Sequence, residues 1–170
     1  DRGGLLLGRV EIDTLDDLDW PEHGRRLALT GEWSNAALGA DREYWRAGGE
    51  LRAAHAFGER WTAQADAALG LSRDDLPVYD WYRLGGIAQL PGFYHGELKG
   101  RQTMAAAVSL RYRAFGQLRV IARGGAGKVF ADTTDIGFGD LRWGGAVGVY
   151  YPSPIGPVSF ELGFRKGGTV

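Results

Sequence analysis

Apolar and polar residues alternate with a period of two through most of the chain. From Arg25 to Ser34, Leu27, Leu29, Gly31 and Trp33 share one side, and Arg26, Ala28, Thr30, Glu32 and Ser34 the other. From Tyr44 to Phe57, Trp45, Ala47, Gly49, Leu51, Ala53 and Phe57 oppose Tyr44, Arg46, Gly48, Glu50 and Arg52, with His55 the one polar residue on the apolar side. Trp61, Ala63, Ala65, Ala67 and Leu69 then oppose Arg60, Thr62, Gln64 and Asp66. Successive side chains of a strand point to opposite faces, whereas a helix repeats every three or four residues, so these segments are predicted as strands.

The second half repeats the pattern. Ala106, Val108, Leu110 and Tyr112 oppose Ser109, Arg111 and Arg113; Leu118, Val120 and Ala122 oppose Gln117, Arg119 and Arg123. Trp143, Gly145, Val147, Val149 and Tyr151 form another row, and Val158, Phe160, Leu162 and Phe164 oppose Ser159, Glu161 and Arg165. With Leu6–Asp13 at the front, about eight strands of about ten residues are expected, the length a tilted strand needs to cross a bilayer.

The chemistry of the two faces separates two all-β folds. A soluble sandwich or lipocalin-like barrel turns its charges outward and packs its apolar rows into one interior. Here the apolar rows are thin and rich in Ala and Gly, with large aromatics at their ends, and the opposite face mixes Arg, Glu, Asp and Gln as a hydrated lumen would. The expected fold is an antiparallel transmembrane β-barrel, with Arg52, Arg111, Arg113, Arg119 and Glu161 lumenal and Leu29, Leu51, Val108, Leu110, Val147 and Leu162 against lipid.

Connections and aromatics support that fold. Phe57-Gly58-Glu59-Arg60, Phe115-Gly116-Gln117 and Pro152–Pro157 leave only short turns, while 35–42, 72–103 and 131–142 are long. Short periplasmic turns alternating with long extracellular loops are a barrel habit. Trp33, Trp45 and Trp143 sit beside long loops; Phe57, Trp61 and Tyr151 sit beside short turns. They are expected to form two interfacial girdles. Between Trp45 and Phe57 a strand tilted by ~45° rises roughly 28 Å, near the ~25 Å apolar band.

Composition narrows the picture further. Glycine numbers 28 of 170 residues without a collagen period, as suits twisted, closely packed strands. A formal net charge of −1 gives no electrostatic case for nucleic acid. Cysteine is absent, which rules out disulfides and thiolate metal sites. No apolar run approaches the ~18 residues of a membrane-spanning helix, and no signal peptide opens the chain.

Four segments in order carry a family resemblance. Leu84-Gly85-Gly86-Ile87-Ala88-Gln89-Leu90-Pro91-Gly92-Phe93, followed by Gly96-Glu97-Leu98 and Gly100, resembles the long sixth loop of the BamA-like superfamily, the bacterial surface-antigen barrels. Leu110-Arg111-Tyr112-Arg113, Gly127-Lys128-Val129-Phe130 and Gly148–Val158 are similar to the strands and hairpin that follow it. The resemblance covers about the last 110 residues; the first 60 match in strand pattern alone. It implies a bacterial outer-membrane location and a barrel of about sixteen strands, of which this chain supplies the C-terminal half. The remaining strands come from elsewhere in the gene product or from a second copy. A small barrel closed by these strands alone is the other possibility.

The chain departs from the family in one respect. Pro91 stands where the superfamily has its loop arginine, and Gly125 or Ala126 where an acidic partner is usual. Losing both together is coherent, since one buried charge left alone is costly. The arginine lock of outer-membrane protein assembly is therefore not carried over. Leu-x-Gly-aromatic followed by Gly-Glu-Leu-x-Gly looks more like the barrels that end patatin-like phospholipases of type V secretion. That branch is the expected function, as an anchor and translocator for a fused passenger, with barrels for assembly, secretion or lipid transfer as the alternative.

No catalytic centre is expected within the segment. Ser34, Ser72, Ser109, Ser153 and Ser159 all lack the Gly-x-Ser-x-Gly flank of a lipase nucleophile, so any lipase would lie upstream. His23, His55 and His95 show no metal-ligand spacing. Asp74, Asp75 and Asp80 fit no calcium-loop frame. Gly124–Gly127 lacks the Lys-Ser/Thr ending and helix of a phosphate loop and reads as strand glycine. No cofactor or metal is expected. The chain reads as one domain, 1–170, whose loop 72–103 is too long for a plain connector and too apolar to stay in water. It is expected to fold into the lumen, with Leu90–Phe93 at its tip and Gly92 and Phe93 against the wall. Arg111 and Arg113 are expected nearby, meeting backbone carbonyls or acids such as Glu161.

Overall fold

A computed structural model describes residues 4–73, 76–132, 135–153 and 156–166. Ten strands appear in chain order: β1 (Leu5–Asp13), β2 (His23–Ser34), β3 (Tyr44–Phe57), β4 (Trp61–Ser72), β5 (Tyr82–Leu84), β6 (Leu98–Gly100), β7 (Gln102–Phe115), β8 (Leu118–Phe130), β9 (Arg142–Ser153) and β10 (Gly156–Arg165). Eight of them form one antiparallel sheet in the order β1-β2-β3-β4-β7-β8-β9-β10, a pure meander. β5 and β6 pair only with each other, inside the long loop between β4 and β7. Among the described residues there is no α-helix; 3-10 turns lie at Ala36–Leu38 and Val78–Asp80.

Register keeps the two faces distinct from strand to strand. Trp33 lies opposite Trp45, Leu27 opposite Leu51, Leu51 opposite Ala67, and Ala67 opposite Ala106. Since side chains alternate strictly, a slip of one residue would mix the faces, and the apolar pattern therefore fixes the pairing. The rows containing Leu29, Leu51, Val108, Val147 and Leu162 are exposed, at 46–64% of full accessibility. On this side nothing among the described residues covers them.

The other face carries the mixed charges, and the long loop lies on it. Arg26 meets Glu11 at 2.6 Å, Arg52 meets Asp66 at 2.7 Å, and Arg46 pairs with Glu32. Gln64 adds a bond of 2.8 Å to Asp66. These cross-strand pairs satisfy groups that an apolar core would have to leave unpartnered.

This arrangement is the reverse of a soluble binding barrel. Such a barrel would gather Leu29, Val108 and Phe160 around a pocket and turn Arg111 to water. Instead those three are exposed, and Arg111 is 5% accessible.

All connections run between neighbours of the sheet. Residues 58–60 and 116–117 make tight turns at one end, with Gly58 at φ +64° and Gly116 at φ +56°, where a side chain would be strained. The β1–β2 connection, 14–22, lies at that same end and is longer. Loops 35–43, 73–101 and 131–141 occupy the other end. Asp74 and Asp75, weighed and rejected above as calcium ligands, Pro154-Ile155 of the last hairpin, and residues 167–170 lie outside the described residues.

Candidate functional site

The loop between β4 and β7 folds over the polar face and brings its own small core. Leu84, Leu90, Phe93 and Leu98 cluster together, Leu90 fully buried, with Ala105 of β7 and Val129 of β8 packed against them. The β5–β6 pairing sets Leu84 opposite Leu98, and a bridge between Gly86 and Leu90 closes the tip. At its base Ser72 donates to the Arg101 carbonyl at 2.7 Å, and Gln102 donates to the Ser72 carbonyl at 3.2 Å. The Tyr82 ring lies over Gly70, and its hydroxyl reaches the Ala47 carbonyl at 2.8 Å.

The tip rests on a patch of bare backbone. Gly125 of β8 stands opposite Gly144 of β9, and Gly163 of β10, paired with Ala146, would bring a Cβ to 3.0 Å from Gly92 Cα. A Cβ at Gly125 would come 3.0 Å from Pro91 Cδ; one at Gly144 would overlap the Pro91 carbonyl. From the loop's side, a Cβ at Gly92 would overlap the Phe164 carbonyl, and Gly92 sits at φ +86°. Both conditions favour glycine. The contact is thus backbone against backbone, and Pro91 occupies the position opposite Gly125 without any charge pair.

Charges fasten the loop at its side. Arg165 of β10 pairs with Glu97 and lies 5.0 Å from the centre of the Phe93 ring. The N–H of Tyr94 donates to Glu97 at 2.8 Å, and together with Arg165 it holds the Glu97 carboxyl below the usual carboxylate range. Burial pushes the Tyr82 hydroxyl upward.

The arginines named from the sequence divide between two places. Arg123 and Glu161 approach to 3.4 Å beneath the loop, both largely buried. That distance marks an ion pair, although the two atoms lack hydrogen-bond geometry. Arg111 and Arg113 meet a backbone carbonyl and an acid, the kinds of partner expected, but away from the loop rather than near it, and the acid is not Glu161. They point toward the short-turn end with Arg119 and meet the β1–β2 connection. Arg111 donates to the Pro21 carbonyl, Arg113 reaches Glu22 at 2.7 Å, and Arg119 lies 3.7 Å from Glu22. Trp20 stacks on Tyr150 with ring centres 3.8 Å apart. The sequence reading missed this connection altogether. Its available signal was a Trp-Pro pair in a nine-residue connector at an end otherwise limited to tight turns.

The aromatics named as girdles fall on the exposed face at the two ends of the strands. Trp33, Trp45 and Trp143 are 41–50% accessible near the long loops. Phe57 and Trp61 stack at 6.4 Å, and Trp61 meets Tyr112 at 4.6 Å, near the tight turns; Tyr151 lies at the same end. His23 and His55, distant in sequence, are opposed across β2 and β3 with rings 5.9 Å apart. No group of three or more potential metal ligands occurs among the described residues.

An antiparallel meander with one exposed apolar face and one polar face under a folded-in loop defines an outer-membrane β-barrel domain. A family comparison agrees: residues 5–168 match the Omp85 superfamily domain, and the chain belongs to that superfamily. Among solved structures it is similar to BamA from Haemophilus ducreyi lacking POTRA domains 1–3, with a TM-score of 0.82 and 18% identity. The match covers 95% of this chain and 38% of that one, so the chain spans well under half of the BamA structure's length. A comparison with curated proteins finds no match.

Proposed function

We propose that this domain is the outer-membrane anchor and translocator barrel of a patatin-like phospholipase of the type V secretion class. In this reading the loop-bearing face lines the lumen, the exposed apolar face meets lipid, and the loop 73–101 is a plug. One observation carries the choice of branch: Pro91 against Gly125 and Gly144, where an assembly barrel would hold an arginine and its acid. A plug seated by shape alone carries no buried charge pair to break when it moves. The partners are the bilayer, a fused passenger, and strands to cover the free edges of β1 and β10. Each of these has a single neighbour among the described residues.

Assembly, secretion or lipid transfer by a BamA-like barrel is the second reading, and it has equal support from the superfamily match. The intact gene product, expressed in a Gram-negative host, separates the two. Phospholipase activity carried on the same polypeptide and removed by external protease, with the strands protected, supports the translocator. Absence of that activity, with loss of other outer-membrane proteins on depletion, supports assembly. In either case, deleting Leu90–Phe93 is expected to raise single-channel conductance or to abolish folding. Unchanged conductance in a folded deletion would remove the plug.

A further inference from the structure

The connection 14–22 joins two strands at one margin of the sheet, yet its Trp20, Pro21 and Glu22 rest on strands at least three places away. Trp20 lies on Tyr150 of β9, and the Arg111 and Arg119 guanidinium carbons sit 5.3 and 5.5 Å from its indole centre. Pro21 is fully buried, and its carbonyl accepts from Arg111. Glu22 takes Arg113 and Arg119.

The acidic residues of the connection divide their labour. Asp17 accepts from the N–H groups of Asp19 and Trp20 at 2.8 Å each, and Asp16 from those of Glu22 and His23 at 2.9 and 3.1 Å. These two carboxylates shape the turn. Only Trp20, Pro21 and Glu22 face the arginines.

The receiving surface holds more positive charge than its occupant neutralises. Arg60, Arg111, Arg113 and Arg119 line a small cavity of about 30 Å³ with only Glu22 and Glu59 among them. Arg111 is 5% accessible, and its Nε has no hydrogen-bond partner. A guanidinium buried without a carboxylate is retained at a cost unless its site serves an anion. The pairs to Glu22 are partly exposed, at 45% for Arg113 and 34% for Glu22, so solvent and salt weaken them.

The geometry points to a peptide-binding site. The Arg60–Arg111–Arg113–Arg119 cluster with Tyr150 takes a segment bearing an aromatic residue and, two positions on, a carboxylate. The chain's own Trp20-Pro21-Glu22 fills it in this state. An equivalent acidic-aromatic segment of another polypeptide, entering from the short-turn end, displaces the resident one and opens that end. This property rests on the cluster alone and holds whichever passenger or client the barrel serves.

The test uses the full protein in detergent or nanodiscs and a fluorescent, end-blocked peptide of residues 17–22, Asp-Leu-Asp-Trp-Pro-Glu. The doubly substituted Trp20→Ala/Glu22→Gln protein, whose site is vacated, should bind the peptide at least tenfold tighter than wild type. Adding Arg113→Gln and Arg119→Gln should cost tenfold or more, as should a peptide with alanine for tryptophan. If the double variant does not fold, Glu22→Gln alone gives the same order of effects with smaller steps. Failure of a folded vacated protein to bind the peptide at millimolar concentration would overturn the proposal. So would binding indifferent to Arg113 and Arg119, or full displacement of the peptide by pyrophosphate or anionic-lipid vesicles at equal charge, which would mark a phosphate site instead.

Discussion

Gly92→Ala is the sharpest probe of the loop's seat. Alanine at φ +86° costs about 1–2 kcal/mol of left-handed strain, and its methyl would overlap the Phe164 carbonyl, so the tip must lift or β10 must yield. Opposing that is the burial of Leu90 and Phe93, worth ~1.5–3 kcal/mol each and therefore ~3–6 together as an upper figure. Strain alone shifts the docking equilibrium by a factor of about 5–30, and the overlap adds to it. The chain has no cysteine, so a single Leu90→Cys reports docking: its thiol is enclosed when the loop is seated and reacts with a water-soluble maleimide when it lifts. Gly39→Ala is the control, since Gly39 has φ +83° but nothing near its missing Cβ. Labelling at position 90 should accelerate five-fold or more with Gly92→Ala and stay at the parent rate with Gly39→Ala. Equal rates in the two would mean that the tip has room at the wall, and the seat described above would be wrong.

Three further outcomes follow from other parts of the structure. Leu110→Arg, on the exposed face, should destabilise the barrel in lipid by ~2–4 kcal/mol if the residue lies near the midplane, read from denaturant unfolding in vesicles. Glu161→Leu should cost about 3–5 kcal/mol by stranding buried Arg123, and Arg123→Met in the same protein should restore most of the loss. Glu97 has its carboxyl lowered by the Tyr94 N–H and by Arg165, so the stability it adds is present above the usual 4.5 and is lost as pH falls through the lowered value. Protease resistance of the loop should therefore drop on acidification below that point in the native protein, and Glu97→Gln should flatten the drop.

Strands, their two faces and the aromatics at the strand ends were legible because each is written locally. A period of two needs no knowledge of the fold, and a tryptophan at a row's end announces its place. That the loop would be covered was legible from its own content, since Leu84, Leu90 and Phe93 had to be buried against something. Its seat was not. Gly125, Gly144 and Gly163 are ordinary strand glycines until register pairs the first two and the loop tip comes down on all three. The connection 14–22 was hidden for a related reason. Asp-Asp-Leu-Asp-Trp-Pro-Glu reads as a solvated acidic turn, and the arginines that receive it lie about ninety residues away in sequence. Arg111 and Arg113 were rightly placed on the polar face, but period two fixes a side, not a height along the strand.

The connection 14–22 and the loop 73–101 enter the same face from opposite ends, and this has a consequence for leakage. An unplugged barrel lumen is a water-filled channel, open to small solutes from either side. If the face lines a lumen as proposed, the two closures act in series and do not share residues: one rests on Phe93, Glu97 and Arg165, the other on Trp20, Glu22 and Arg113. Were each open about 1% of the time, an ordinary minor-state population, independent opening would leave a continuous path only ~0.01% of the time. Either gate can then be loosened to admit a chain from its own side while the other keeps the barrier, as two doors of a lock chamber do.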